Sequence, residues 1–300
     1  MPARRWFTNL LKDPPPAYVF ELSEAGIAVA RNTSRPPRIG FQPLEPDVLS
    51  VSPVRDNVLR LEALTAQIQA LAPRAESRKR QRAVLILPDG SVRVSVLDFD
   101  AFPSQPEQQL SLVRFRIKKS LPYDVDSASL SYFAQPGGGN GNRMDVVVAV
   151  APLEIVARYE APLRAAGFHP GLVTTSTLAA LHLAPHVNLA VLVKLGGRML
   201  TISVLERGVL KLLRSIELAE ADAGEILEHL HPTLAYCEDQ LAARSEKVLL
   251  CGFGAASEQA CAAYQTELNV PVEPLRSRLG MPDQYNAGLL GCLESMGGSG

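Results

Sequence analysis

The sequence lacks most of the features that assign a protein quickly. It has only four cysteines, Cys237, Cys251, Cys261 and Cys292, and no two form a Cys-x-x-Cys pair. That suits reduced thiols in a cytosol better than a disulfide framework. No apolar run approaches the roughly 20 residues that a bilayer-spanning helix needs. The arginine-bearing N-terminus has no long apolar stretch and no small-residue cleavage site, so no secretory signal is expected. Neither sign of charge dominates, with 30 Lys and Arg against 31 Asp and Glu. A net charge of -1 argues against a protein that coats nucleic acid. No Ser-His-Asp or Cys-His spacing supports nucleophilic catalysis. The glycine-rich Pro136–Asn142 joins two strand-like runs and is not followed by Gly-Lys-Ser/Thr, so it reads as a hairpin loop and not a phosphate cradle.

What remains is an ordinary globular composition, 47% hydrophobic and 20% charged, over 300 residues. That length buries a large core and allows two domains. Met1–Lys12 is basic and amphipathic, with Trp6, Phe7, Leu10 and Leu11, and Pro14-Pro15-Pro16 separates it from the body. Tyr18–Leu22 and Ile27–Arg31 read as a hairpin across Ser23–Gly26, with the glycine placed for a positive φ. Val58, Leu61, Leu64, Ile68 and Leu71 mark an amphipathic helix capped near Asp56 or Asn57. Arg74–Arg82 is a basic run that reads as a solvated helix end or loop. Ala83–Leu87 and Val92–Phe99 read as a second hairpin, because Asp89-Gly90 is a strong turn signal.

The stretch Leu110–Gln135 carries the most information. Ser104 and Glu107 have capping-box spacing, and Pro106 is tolerated in the first turn. Leu110, Val113, Ile117 and Leu121 make one apolar stripe, with Arg114, Arg116, Lys118 and Lys119 on other faces. Pro122 disfavours helix in the residue before it. Tyr123–Asp126 turns the chain, and Leu130–Ala134 reads as a strand. A three-strand meander then spans Asn188–Leu195, Met199–Leu205 and Val209–Glu217. The helix Asp222–Ala243 follows, then the buried strand Lys247–Cys251, the turn Gly252–Ala255 and the helix Glu258–Asn269. The last helix is expected at Gln284–Ser295.

This basic helix, Leu-Pro-Tyr corner and strand resemble a signature of the PilM family, the actin-like cytoplasmic proteins of type IV pilus machines. The resemblance implies an α/β, actin-like (ribonuclease-H-like) two-lobed fold with a small inserted α+β subdomain. The expected boundaries are a basic segment at 1–17, a first lobe at 18–103 continued at 174–187, the insertion at 104–173, a reduced second lobe at 188–295 and a tail at 296–300. It also implies three nucleotide-facing turns, and the chain has all three in order. These hold Glu21 and Ser23, then Lys194, Gly196 and Gly197, then Gly252 and Gly254.

The departures from the family pattern carry as much weight as the matches. The first turn of the family reads Asp-Ile-Gly-Ser, and Glu21 and Ser23 stand at its Asp and Gly places. Lys194 stands where the family has an aspartate. Magnesium is held through carboxylate and phosphate oxygens, so an ammonium there opposes it. Part of the second lobe is also missing, because Glu217 runs almost directly into Asp222. These departures imply weak ATP binding at most, no hydrolysis, and a degenerate cradle in which no cofactor is expected. The resemblance further implies a partner. The inserted unit and its neighbour form a groove that takes the N-terminal cytoplasmic segment of a PilN-like inner-membrane protein, and Arg114, Lys118, Pro122 and Tyr123 fall in the matching region. The expected function is a non-enzymatic scaffold, cytoplasmic and peripheral to the inner membrane, linking that partner to pilus or secretion motor components. The alternatives are an active actin-like ATPase and the cytoplasmic scaffold of type II secretion.

Overall fold

The computed structural model describes residues 16–34, 36–73, 80–135 and 143–297. The segment Met1–Lys12, the loop Pro136–Asn142, most of the basic run Arg74–Arg82 and the last residues of the tail lie outside the described residues.

In chain order the elements are β1 (Tyr18–Leu22), β2 (Gly26–Arg31), β3 (Arg38–Pro43), α1 (Leu61–Leu71), β4 (Gln81–Leu87) and β5 (Arg93–Phe99). Next come α2 (Pro106–Ile117), β6 (Ala128–Gln135), β7 (Met144–Pro152), α3 (Leu153–Ala165), β8 (Phe168–Thr175) and α4 (Ser176–Ala180). Then follow β9 (Leu189–Gly196), β10 (Met199–Glu206), β11 (Val209–Glu217), α5 (Ala223–Leu241), β12 (Lys247–Cys251), α6 (Ser257–Leu268), β13 (Val272–Pro274) and α7 (Ala287–Gly297).

Two five-stranded sheets are ordered β3-β2-β1-β4-β8 and β11-β10-β9-β12-β13. Each has parallel central pairs, β1 with β4 and β9 with β12, and antiparallel hairpins on one side. Strands buried on both faces read as near-continuous apolar runs, as in VLLC and, with the single charge of Glu21, YVFEL. The outer face of the first sheet packs on α1 through Leu64 and Ile68 and on α3 through Ile155, Tyr159 and Leu163. The second sheet packs on α5 and α6 through Ile226, Leu230 and Tyr264. The opposite faces of both sheets meet α4 and α7. There Gly288 and Gly291 let α7 lie on α4: a Cβ at Gly291 would stand 2.2 Å from the Ala179 carbonyl oxygen.

A third sheet, β5-β7-β6, forms the small unit. One face packs on α2 through Val113, Ile117, Val146 and Val148. The other face packs Val94 and Val147 against Leu205, Leu210 and Leu213 of the second lobe.

Several expectations need correction. The small unit is not 104–173, because β5 joins its sheet while α3 and β8 return to the first lobe. The last helix α7 packs on Val19, Ala28, Val84 and Ile86 of the first lobe, so the second lobe does not extend to 295. β4 and β5 lie in different sheets, and Asp89–Ser91 is a buried 3-10 turn between them and not a hairpin turn. Ser104 does not cap α2; Gln105 is its N-cap residue and makes no side-chain cap bond. Neither Asp56 nor Asn57 caps α1, which starts at Leu61 after Arg60. Gly26 has no positive φ; it is required because a Cβ there would meet the Phe41 ring at 2.4 Å and the Gln42 carbonyl oxygen at 2.5 Å.

Candidate functional site

Four elements deliver polar or charged side chains to the space between the lobes. β1 carries Glu21 and is buried throughout, and Glu21 is only 1% exposed. The turn after β4 carries Asp89. β9 carries Lys194, which is 3% exposed. The start of α4 carries Ser176 and Thr177.

Asp89 accepts from the Thr177 amide at 2.8 Å, from Thr177 Oγ1 at 2.7 Å and from Lys194 Nζ at 3.1 Å. Glu21 accepts from the Ser176 hydroxyl and, at 2.7 Å, from the Leu289 amide at the start of α7. The close α4–α7 approach places both of these donors. The Asp89 turn is itself held by a buried network. Ser91 Oγ lies 2.8 Å from Asn57 Oδ1 and 2.9 Å from the Tyr159 hydroxyl. The Asn57 amide nitrogen donates to the Ser52 carbonyl at 2.7 Å. Burying an amide and a phenol is tolerated because every polar atom finds a partner.

The electrostatics follow from burial and pairing. Burial pushes the Glu21 carboxyl up, against the pull of Lys194, Ser176 and the Leu289 amide. Burial acts to lower the Lys194 ammonium, but Asp89 and then Glu21 outweigh it and raise its pKa. Lys194 is therefore a cation paired with Asp89 and influenced by the nearby Glu21. Beside it, burial pushes the Cys251 thiol up to about 12, which makes it an inert core thiol.

These side chains floor a cleft of about 390 Å³, which Ser23, Glu24, Gly196, Gly197, Arg198 and Gln284 also line. The predicted site residues are distributed as follows. Glu21, Ser23, Lys194, Gly196 and Gly197 come together there. Ser23 spends its groups within its own turn, exchanging bonds with Gly26. The Gly197 amide donates to Gln284 Oε1 at 3.3 Å. Gly252 and Gly254 do not line this cleft. At Gly252, with φ +89, a Cβ would stand 1.9 Å from the Leu195 carbonyl oxygen. The space that glycine provides is thus filled by the chain's own β9 backbone.

The Lys194 ammonium takes up one oxygen of Asp89, and among the described residues no three Asp, Glu, His or Cys side chains gather to hold a metal. Sequence reasoning missed Asp89, Ser176 and Thr177. Pro88-Asp89-Gly90 carries the signal of an ordinary turn, and nothing local to Ser176 or Thr177 marks them.

No family model matches the sequence, and no curated protein matches it significantly. Solved structures do. One described as a "PilM-PilN type IV pilus biogenesis complex" superposes with a TM-score of 0.76 over 94% of this chain and 99% of that one, at 18% identity. A Bacteroides thetaiotaomicron protein of actin-like ATPase fold and unknown function superposes with a TM-score of 0.57 over 95% and 98%, at 13% identity. The chain has the actin-like fold. At these identities the likeness concerns the fold alone.

A second cleft of the actin-like body, about 470 Å³, lies between the small unit and the first lobe. Ser129, Ser131 and Tyr132 of β6 and Gly171–Thr175 of β8 line it, over a floor that includes Leu87, Val92 and Leu178. Both strands are sheet edges: β6 pairs only with β7 and β8 only with β4 among the described residues. Thr174 is 9% exposed, and its Oγ1 has no hydrogen-bond partner. The four residues expected at a partner groove lie as follows. Arg114 and Lys118 sit on and just after α2, and Pro122 is exposed at the following corner. Tyr123 donates to the Val150 carbonyl at 3.0 Å and is half-buried, which raises its pKa. None of the four lines the cleft. Among the described residues, no helix is long and apolar enough to cross a membrane.

Proposed function

We propose that this protein is a non-enzymatic scaffold of a type IV pilus or related secretion machine, and that an extended segment of a partner adds a strand in the cleft between β6 and β8. The observation that carries the reading is the pair of unpaired strand edges facing one cleft, with the buried Thr174 hydroxyl left without a partner. A strand edge offers main-chain donors and acceptors for affinity, and the alternate side chains of the added strand find pockets for specificity. A buried hydroxyl without a partner is costly, and a guest strand supplies one.

The partner we assign is the N-terminal cytoplasmic segment of a PilN-like inner-membrane protein. The support is the shared fold with the PilM-PilN complex. Such a partner would hold the chain at the cytoplasmic side of the inner membrane and leave its remaining surface for motor components. The scaffold would work without hydrolysing ATP, a reading supported by Lys194 in the anionic pair and by Leu195 beneath Gly252.

The test is hydrogen exchange on the full chain with a synthetic peptide of that partner segment. Binding that slows exchange at the free edges of β6 and β8 supports the reading. No binding, or protection confined to α2, contradicts it. A second reading, an active ATPase, rests on the 390 Å³ cleft and the Gly196-Gly197 turn; magnesium-dependent binding of a fluorescent ATP analogue would favour it.

A further inference from the structure

We infer that Lys194 is a built-in cation: its ammonium pairs with Asp89 beside Glu21, ties the second lobe to the first, and excludes a divalent ion from the two carboxylates. The inference does not depend on what docks in the groove between β6 and β8.

The argument is one of charge and origin. Glu21 and Asp89 enter from β1 and from the turn after β4, both in the first lobe, while Lys194 enters from β9 at the centre of the second. Thr177, Ser176 and Leu289 supply dipoles to the two carboxylates, and all three stand on α4 and α7. None of them carries charge. Among the described residues, Lys194 makes the only ion pair with either carboxylate. Arg198, the other cation lining the cleft, is exposed and turned toward Glu217 at 3.9 Å. Two buried carboxylates without a counter-charge are untenable in a low-dielectric interior, so one cation is obligatory. The chain supplies it as an ammonium, on a side chain of fixed length anchored to the opposite lobe.

Two further ties hold the same arrangement from the small unit. The Gln135 side chain donates to the Leu210 carbonyl at 2.8 Å and accepts from the Leu210 amide at 2.9 Å. Lys211 Nζ lies 2.7 Å from Asp145 Oδ2 and 3.4 Å from Glu206 Oε2, and it is nearly buried. These bonds tie the small unit to the second lobe, as Lys194 ties the second lobe to the first.

If Lys194 is the obligatory cation, its removal turns the pair into a site for a hard divalent ion, because carboxylate oxygens are what Mg²⁺ and Mn²⁺ select. The experiment is thermal unfolding of the full chain with and without millimolar Mn²⁺ or Mg²⁺. The wild type should be indifferent to either metal. Lys194→Ala should melt on the order of 10 °C lower and recover several degrees with Mn²⁺ alone. Should Lys194→Ala fail to fold, the charge-neutral double variant Asp89→Asn/Lys194→Met decides. It should fold and remain indifferent to metal, since one carboxylate leaves with the ammonium and Glu21 keeps its Ser176 and Leu289 donors. A wild type stabilised by Mn²⁺ or Mg²⁺ overturns the inference. So does a Lys194→Ala protein with an unchanged melting temperature, or one that is destabilised but deaf to Mn²⁺. A double variant as unstable as the single one also overturns it, because Lys194 would then act as packing and not as charge.

Discussion

Two clefts of this molecule are similar in size, about 390 and 470 Å³, and opposite in chemistry. In the cleft between the lobes, the buried charges satisfy one another: Asp89 has three donors, Glu21 has two, and Lys194 is paired. In the cleft between β6 and β8, two strand edges are open and a buried hydroxyl has no partner. Both volumes fall in the range of ligand sites, so volume does not separate them. Hydrogen-bond satisfaction does. A site that has answered its own polar groups has little to offer a ligand, and a site with unanswered groups does.

The comparison breaks most easily at Gly252. Gly252→Ala drives a methyl into the Leu195 carbonyl and strains a positive φ, so it should destabilise the chain by about 3 kcal/mol. Chemical denaturation measures this; a change of less than about 1 kcal/mol would mean that the turn is an open cradle after all. Next in size is Gln135→Ala. It leaves the Leu210 amide and carbonyl without their buried partner and should cost about 2 kcal/mol.

Thr174→Val sharpens the contrast, because the sign should reverse. It removes a buried hydroxyl that has no partner, so the free chain should be unchanged or stabilised by up to about 1 kcal/mol. Affinity for the docked segment should fall by about three- to tenfold, read by calorimetry.

The smallest effect expected is that of Glu21→Gln. The amide can still accept from Leu289 and meet Ser176, so the variant should fold with a loss under about 1 kcal/mol. Its pH dependence is the informative part. Burial raises the folded pKa of Glu21 above 4.5, so its contribution to stability is fully present below 4.5 and is lost as pH rises through the raised value. The wild type should therefore lose ground to Glu21→Gln in melting temperature as pH rises above 4.5. A constant difference would mean that Glu21 is not desolvated as described.

The parts of this fold that were legible in the sequence are the parts built from local signals. The meander β9–β11 and helix α5 declare themselves by alternation, by glycine turns and by the Asp222 cap, which accepts from the Glu225 amide at 2.8 Å. Lys194 and Glu21 stand out as charges inside apolar runs. Asp89 was not legible, because Asp-Gly reads as a hairpin whether or not the next strand pairs with the last. Here β5 leaves for another sheet, and the turn is buried as a result. The cleft between β6 and β8 was not legible either. β6 and β8 are far apart in the chain, and an edge is defined by which strand fails to arrive beside it. The basic face of α2 drew attention because charge is visible in a sequence, whereas an open edge is not. The helix also carries Phe115, 71% exposed, which the apolar stripe did not single out.

The most direct test of the account is the affinity of the full chain for the partner segment, titrated with and without Mg-ATP. With Lys194 in the cleft and the groove built from fixed strand edges, the two affinities should be equal. A segment that binds only with Mg-ATP, or several-fold tighter with it, would contradict the account.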